Sequence, residues 1–396
     1  MSVHVVGAGL AGLACALALA DAGREVVLHE TAGQAGGRCR SWADPRFDRV
    51  LDNGTHMVVG GNNAVFSFLK RIGAGDGLTA GPTAFPMLDM ANGQSWTARP
   101  ANLWPSILKS LTRLALAPKG TIADHLGGSD VYRRFWEPLA LAIMNTPPDA
   151  ASAEVFRRVL ARTLWRGAAA SRPHLAHHGL SETFAHPAIR TLEKAGAVIR
   201  FHHPLRGLGF DGNRVGELGF DDETVMLARH DAVVLAVPWA VAAGLLPGMP
   251  DLPSSPIVNA HFQMVEPPQG LTNRFLGLIG AAGQWLFLNG DVLSITVSAA
   301  AEMITWPAAL IADRLWDDAA KALGLSGAPS AVRVIKEKRA TLFHSPAVER
   351  LRPTPRVGDN LLLAGDWTAT GLPCTLEGAL RSGNRAARLV LAHART

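Results

Sequence analysis

Three glycines and one acid near the start of the chain have the spacing of a phosphate-handling site. They are Gly7, Gly9 and Gly12, in the run Gly7-Ala8-Gly9-Leu10-Ala11-Gly12, and Glu30, eighteen residues further on. In such a run the first glycine permits a tight turn. The second lets a diphosphate approach the backbone, and the third lets a helix press against a strand. The N–H groups that open the helix are unpaired and carry partial positive charge, which suits an anion. Glu30 lies where a carboxylate accepts hydrogen bonds from an adenosine ribose and repels a 2′-phosphate, so a non-phosphorylated dinucleotide is expected. Two further groups follow the acid, Gly36-Gly37-Arg38 and Asn53-Gly54-Thr55-His56. A nicotinamide dehydrogenase has no need of either. Near the other end, Gly365-Asp366 closes an apolar run and is followed by Leu372, Thr375, Leu376 and Ala379.

These residues need particular elements to position them. His4-Val5-Val6 reads as a buried strand, the alanine- and leucine-rich run up to Gly23 as a helix, and 26–29 as a second strand. Residues 64–73 read as a helix closed by Gly73. The stretch 129–167 is helical in pattern, over Tyr132–Leu139 and again over 153–164. A helix over 182–195 leads to a strand at 197–201, a hairpin around Asp211-Gly212-Asn213 and a buried strand at 232–238. Strand-like pieces then come in a run, at 258–264, 275–279, 285–288 and 293–298. A helix over 307–323 and a strand over 331–338 follow, and the run of strands predicts an antiparallel sheet. Last come the strand into Asp366 and a helix from about Thr375 to His393. That helix would aim its N–H groups at a ligand edge where negative charge develops. On this reading the nucleotide domain is split into 1–78, 179–250 and 345–396, and the substrate domain comprises 79–178 and 251–344.

Composition narrows the class. With 396 residues the chain should form at least two domains. Only 18% of residues are charged and 48% are hydrophobic, which leaves apolar surface for a greasy ligand or a membrane. The net charge of +5 is a modest basic bias. Basic residues are not interleaved with stacking aromatics, so nucleic acid is a poor partner and anionic lipid a better one. Between Met90 and Ala123 there is no acid but four basic residues, Arg99, Lys109, Arg113 and Lys119. There Trp104, Ile107, Leu108, Leu111 and Leu114 recur at helical spacing, so the stretch is either a membrane-surface helix or a helix facing a core. A second acid-free stretch, 155–181, holds Arg157, Arg158, Arg162, Arg166 and Arg172. It reads as a solvated face or as a headgroup or diphosphate contact. Cys15, Cys39 and Cys374 are scattered without metal spacing and read as reduced thiols. No leader is expected before the first strand, and no run is long enough to span a bilayer. The expected location is the cytoplasm, peripheral on the inner face of its membrane.

The motifs now assembled carry a resemblance. Asp52-Asn53-Gly54-Thr55-His56, the stretch 135–160 with its Asn145-Thr146-Pro147-Pro148, the run 336–341 and above all 361–383 resemble the flavin-dependent amine oxidase and polyene desaturase superfamily. Within it the chain is similar to the hydroxysqualene dehydroxylases. Two positions depart from that pattern, Cys374, where a small aliphatic residue is expected, and the basic His177-His178. The resemblance implies an α/β fold of the two-dinucleotide-binding flavoprotein type. A Rossmann-like FAD-binding domain would carry an inserted α+β substrate domain with an antiparallel sheet and helices. It implies non-covalent FAD held by Gly7, Gly9, Leu10, Ala11, Gly12, Glu30, Gly36, Gly37, Arg38, Asn53, Gly54, Thr55, Leu205, Ala236, Gly365, Asp366, Leu372, Thr375, Leu376 and Ala379, and no metal. Its substrate would be a long-chain isoprenoid, reduced in bacterial hopanoid or triterpene synthesis with electrons from a donor the residues do not identify. An acid should protonate the departing hydroxyl, with His56 and Lys338 as candidates. Rival readings are a desaturase or amine oxidase running the opposite way, and a non-catalytic isoprenoid carrier. The single tyrosine, Tyr132, counts against amines.

Overall fold

The computed structural model describes residues 1–99, 112, 114–116, 119–268, 271 and 274–393. The expected basic amphipathic helix, with Trp104, Ile107, Leu108, Lys109, Leu111 and Arg113, lies outside the described residues.

A five-stranded parallel sheet occupies one side of the molecule. Its order is 198–200, 25–29, 2–6, 232–235, 361–363, so three distant stretches of chain meet edge to edge. Every residue of Ala232–Leu235 and Leu361–Leu363 is buried, as strands covered on both faces must be. The helix Leu10–Asp21 is apolar nearly all round and lies in the core. Helix Leu376–His393 packs on it so closely that a Cβ on Gly383 would fall 2.0 Å from the Ala11 carbonyl oxygen. The helix Asn63–Arg71 ends before Gly73 at φ +70°, a left-handed position that glycine adopts without strain.

A seven-stranded sheet forms the second layer, in the order 331–342, 254–263, 292–298, 285–289, 275–279, 85–89, 95–98. Its neighbouring strands pair antiparallel, as a run of strands leads one to expect, with one exception. The contact between 275–279 and 85–89 is parallel. It arises because the hairpin 85–98 reaches the sheet edge from an earlier stretch of chain. The helical stretch 129–167 is interrupted at Asn145, which turns left-handed at φ 46°. The chain resumes helically at Ala153–Leu160 and ends in a short 3₁₀ turn, Leu164–Arg166.

Candidate active site

The turn between the first strand and the first helix is closed by backbone contact. Gly7 sits at φ +102°, and a Cβ there would fall 2.5 Å from the Ala236 carbonyl oxygen. A Cβ on Gly12 would fall 1.9 Å from the Gly7 carbonyl oxygen and 3.2 Å from Ala236 Cβ. Gly9 is different. Nothing lies within 4 Å of its Cβ direction, and no side chain caps the helix that starts at Leu10. The first N–H groups, around Leu10 and Ala11, are therefore left for an outside acceptor. The second glycine loop closes on the first, with Gly36 N–H donating to the Ala8 carbonyl at 2.8 Å. The Cβ direction of Gly37 lies 3.2 Å from Gly9 Cα. Glu30 accepts from Ala8 N–H at 2.7 Å on one carboxylate oxygen and from Ala32 N–H at 2.8 Å on the other. Those bonds fix the carboxylate while leaving lone pairs for ribose hydroxyls. His203 N–H donates to the Glu30 carbonyl at 2.9 Å, which draws the chain leading to buried Leu205 up to the cradle.

Arg38 follows the second glycine loop. Its Nη2 donates to both oxygens of Asp366 at 2.7 Å, and Nη1 donates to the Ala340 carbonyl. The glycine loop by itself leads one to expect charge near a diphosphate. The guanidinium instead ties that loop to two segments 302 and 328 residues further along the chain. Asp366 opens the turn before the last helix. There Thr375 Oγ1 accepts from Gly378 N–H at 3.2 Å, the Thr375 carbonyl accepts from Ala379 N–H at 2.9 Å, and Leu376 begins the helix. Gly365 N–H donates to Ser382 Oγ at 2.9 Å, and Leu372 is buried.

His56 Nδ1–H donates to the Gly54 carbonyl at 2.8 Å, which leaves Nε2 as a lone pair. Burial pushes its pKa below the ordinary histidine value. The Gly54 bond and Asp52 oppose that shift, and Arg38 reinforces it. His56 is thus a neutral imidazole that accepts at Nε2. Asn53 and Gly54 lie against Asn259, whose Nδ2 donates to the Asn53 carbonyl at 3.3 Å, and Thr55 is partly exposed between them and His56. Lys338 is exposed on strand Ala331–Leu342, two residues before the buried Ala340 whose carbonyl Arg38 holds, where the pairing with strand 254–263 is irregular between Glu337 and Thr341. Just after His56, Met57 packs with Leu175 against a buried apolar wall of Met87, Phe275, Trp285 and Phe287.

One buried network has no counterpart in the sequence reading. Arg352 donates to the carbonyls of Asp366, Trp367, Thr368 and Leu372 and to Thr370 Oγ1, so one side chain fixes the whole turn. Its Nη1 also donates to Glu349 Oε2 at 2.8 Å. Burial alone would raise the Glu349 pKa, but the bonds from His344 and Arg352 outweigh it and hold the carboxyl below its ordinary value. His344 Nδ1–H donates to Glu349 Oε1 at 2.6 Å, and Nε2 accepts from Cys374 N–H at 2.9 Å. The His344 backbone N–H donates to Thr146 Oγ1 at 2.9 Å, and its carbonyl accepts from Ser152 N–H at 2.8 Å. Asn145 binds the Ser255 carbonyl, Thr341 Oγ1 and Ala299 N–H. The motif Asn145-Thr146-Pro147-Pro148 is the available signal for this network, though it does not name its partners.

A glycine cradle fixed on a carboxylate, at the carboxyl end of the central strand of a parallel sheet completed by the far end of the chain, defines a dinucleotide-binding protein. A family model described as flavin containing amine oxidoreductase matches residues 10–116 and 111–391. The chain is 39% identical to the hydroxysqualene dehydroxylase of Sinorhizobium fredii, over 100% of this chain and 99% of that protein. It is 39% identical to the hydroxysqualene dehydroxylase of Rhodopseudomonas palustris, again over 100% and 99%. Cyclohexylamine oxidase from Brevibacterium oxydans shares the fold, with a TM-score of 0.77 at 17% identity over 100% of this chain and 99% of that one. The chain belongs to the flavin containing amine oxidoreductases and, within them, to the hydroxysqualene dehydroxylase family. It is an FAD-dependent oxidoreductase. The residues present fit that group, since Gly9 leaves open space where a side chain would block a diphosphate and no side chain caps the helix behind it.

Proposed function

We propose that this chain reduces hydroxysqualene to squalene with loss of water, in bacterial hopanoid or related triterpene synthesis. The observation that carries the reading is 39% identity, end to end, with two proteins of that name. Residues 1–78, 179–250 and 345–396 form the FAD-binding part, and 79–178 with 251–344 form the substrate part. The glycine cradle holds the diphosphate, Glu30 the ribose, and the turn from Gly365 to Ala379 the flavin end. When bound and reduced, FAD supplies a hydride to the carbon that loses its hydroxyl.

The chain's own residues exclude water and manage one proton. The wall of Met87, Phe275, Trp285 and Phe287 beside Met57 takes the isoprenoid and keeps an allylic cation away from water. His56 presents an acceptor at Nε2, so it orients the substrate hydroxyl by taking its hydrogen bond. Lys338 is the better proton donor, because an ammonium carries three N–H groups and no lone pair. The +5 charge and apolar composition support peripheral contact with anionic membrane, where such a substrate resides. No helix among the described residues is long and apolar enough to cross a membrane.

The test is anaerobic incubation of the photoreduced holoprotein with hydroxysqualene, read by mass spectrometry. Squalene is expected, with one deuterium when the flavin N5 carries it. Lys338→Met should slow the step while leaving flavin bound. Failure to form squalene refutes the reaction, and unchanged turnover of Lys338→Met removes only that residue's role.

A further inference from the structure

The arginine-rich stretch between 155 and 181 has no part in the chemistry above, yet the structure gathers part of it at one place. Arg158 lies on helix Ala153–Leu160 and Arg162 follows it, with Arg162 Nη1 donating to the Arg158 carbonyl at 2.9 Å. The Arg162 carbonyl oxygen lies 2.1 Å from the Cβ direction of Gly61. That turn leads into helix Asn63–Arg71, whose Ala64 and Val65 N–H groups donate to Glu377 Oε2. Arg381 Nε donates to the other Glu377 oxygen at 2.6 Å. Arg162 and Arg381 therefore both approach this turn, and Arg158 Nη1 reaches to 2.5 Å from the Cβ direction of Gly371.

The local charge does not balance. Glu154 is taken by Arg158, and both oxygens of Glu377 are committed to Arg381 and to the helix start. Among the described residues no carboxylate pairs with Arg162 or Arg166. Burial first, and then Arg381, weaken the hold of Arg162 on its proton, with Glu377 opposing and Arg158 and Arg166 adding to the effect. A partly buried guanidinium among like charges, beside carboxylates already engaged, is complemented by an anion from outside. Planar guanidinium forks match phosphate oxygens in pairs.

We propose that Arg162 and Arg166, supported by Arg158 and Arg381, form a binding site for a phosphate-bearing anion. The chemistry is shared by a free diphosphate and by the phosphate of a lipid headgroup, and the experiment separates the two. FAD-loaded full-length protein is titrated calorimetrically with inorganic diphosphate. In parallel it is floated with phosphatidylcholine vesicles that contain or lack phosphatidylglycerol. The double variant Arg162→Gln/Arg166→Gln is compared with Arg206→Gln, an exposed arginine paired with Asp221 elsewhere. The double variant should weaken binding about tenfold or more, since charge-assisted contacts are lost, while the control should not. Loss of diphosphate binding alone identifies a soluble ligand, and loss of phosphatidylglycerol-dependent flotation alone identifies a headgroup. Binding of neither probe by the parent protein, or equal binding by double variant and control, overturns the site. If the double variant fails to retain flavin, Arg166→Gln alone carries the same comparison, because that side chain is exposed and pairs with no carboxylate among the described residues.

Discussion

The glycine cradle and the turn from Asp366 to Thr375 are built on opposite plans. The cradle is closed by backbone pressing on backbone, within the first 37 residues plus Ala236, with the Glu30 carboxylate as its one side-chain anchor, and its close approaches need residues with no side chain. The turn is held by side chains from the segment just before it, chiefly Arg352 backed by Glu349 and His344, and needs large buried polar groups. One region fails when atoms are added, the other when they are removed.

Adding atoms to the cradle should have the largest effect. Gly12→Val places a Cβ where the Gly7 carbonyl oxygen stands 1.9 Å away, with backbone on both sides of the contact. The loss should reach roughly 5 kcal/mol or more, beyond the range of ordinary substitutions. Urea unfolding and flavin content of the purified protein measure it. A variant that keeps full flavin and an unchanged midpoint would show that the close approach is not needed.

Removing atoms from the turn comes next. Arg352→Ala strips five acceptors in the 366–372 turn of their donor and leaves Glu349 buried without its cation. The expected cost is about 3–5 kcal/mol. If the turn is what positions the flavin end, flavin absorbance should shift as well. An unaltered spectrum with lowered stability would confine Arg352 to folding.

Acid gives the smallest effect and separates the two regions by pH. Beneath the cradle, His4 Nδ1 and His29 Nε2 lie 3.1 Å apart, and His29 Nδ1 and His203 Nδ1 lie 3.0 Å apart. Burial, with the neighbouring histidines and Arg200 adding, pushes the His29 pKa from 6.5 to about 3. The unfolded chain therefore takes up that proton first. Stability is full above pH 6.5 and falls below it by up to ~1.4 kcal/mol per pH unit, so by under about 3 kcal/mol down to pH 4.5. Glu349 has the opposite requirement, a depressed carboxylate whose contribution is lost only as pH falls below its ordinary 4.5. Between those values the cradle side should weaken while the Glu349 turn should not. Urea midpoints across this window, for the parent and His29→Asn, decide the point. Burial lowers His4, His56 and His261 as well, so part of the slope remains in the variant, but a slope undiminished in it would exclude His29 as a source.

The same contrast governs what could be read from the chain. Gly7, Gly9, Gly12 and Glu30 act through local geometry, so their spacing by itself spells out a strand, a turn and a helix. The run of strands after 254 showed its antiparallel sheet for the same reason, although the parallel contact with 85–89 depends on a distant hairpin. Arg38 and Asp366 were each legible as candidates, but their pairing was not, since nothing local marks a partner 328 residues away. Arg352 and His344 gave no signal at all. A buried arginine that binds carbonyls reads the same as a surface arginine until the carbonyls are in place. Asn145 falls between these cases, since its left-handed turn before Thr146-Pro147-Pro148 has a local signature while its three partners do not.

The order of strands in the parallel sheet has a consequence for how the protein is made. Strands 2–6 and 25–29 leave the ribosome well before strand 361–363 and the helix that packs on Ala11. At roughly 5–20 residues per second, more than three hundred residues separate these events by about 20–70 seconds. During that interval the first helix has no Gly383 against it, and the turn that takes the flavin end does not exist. Full flavin retention therefore waits on the helix that starts at Leu376, and a protein truncated anywhere before it should be made as a colourless, half-covered sheet.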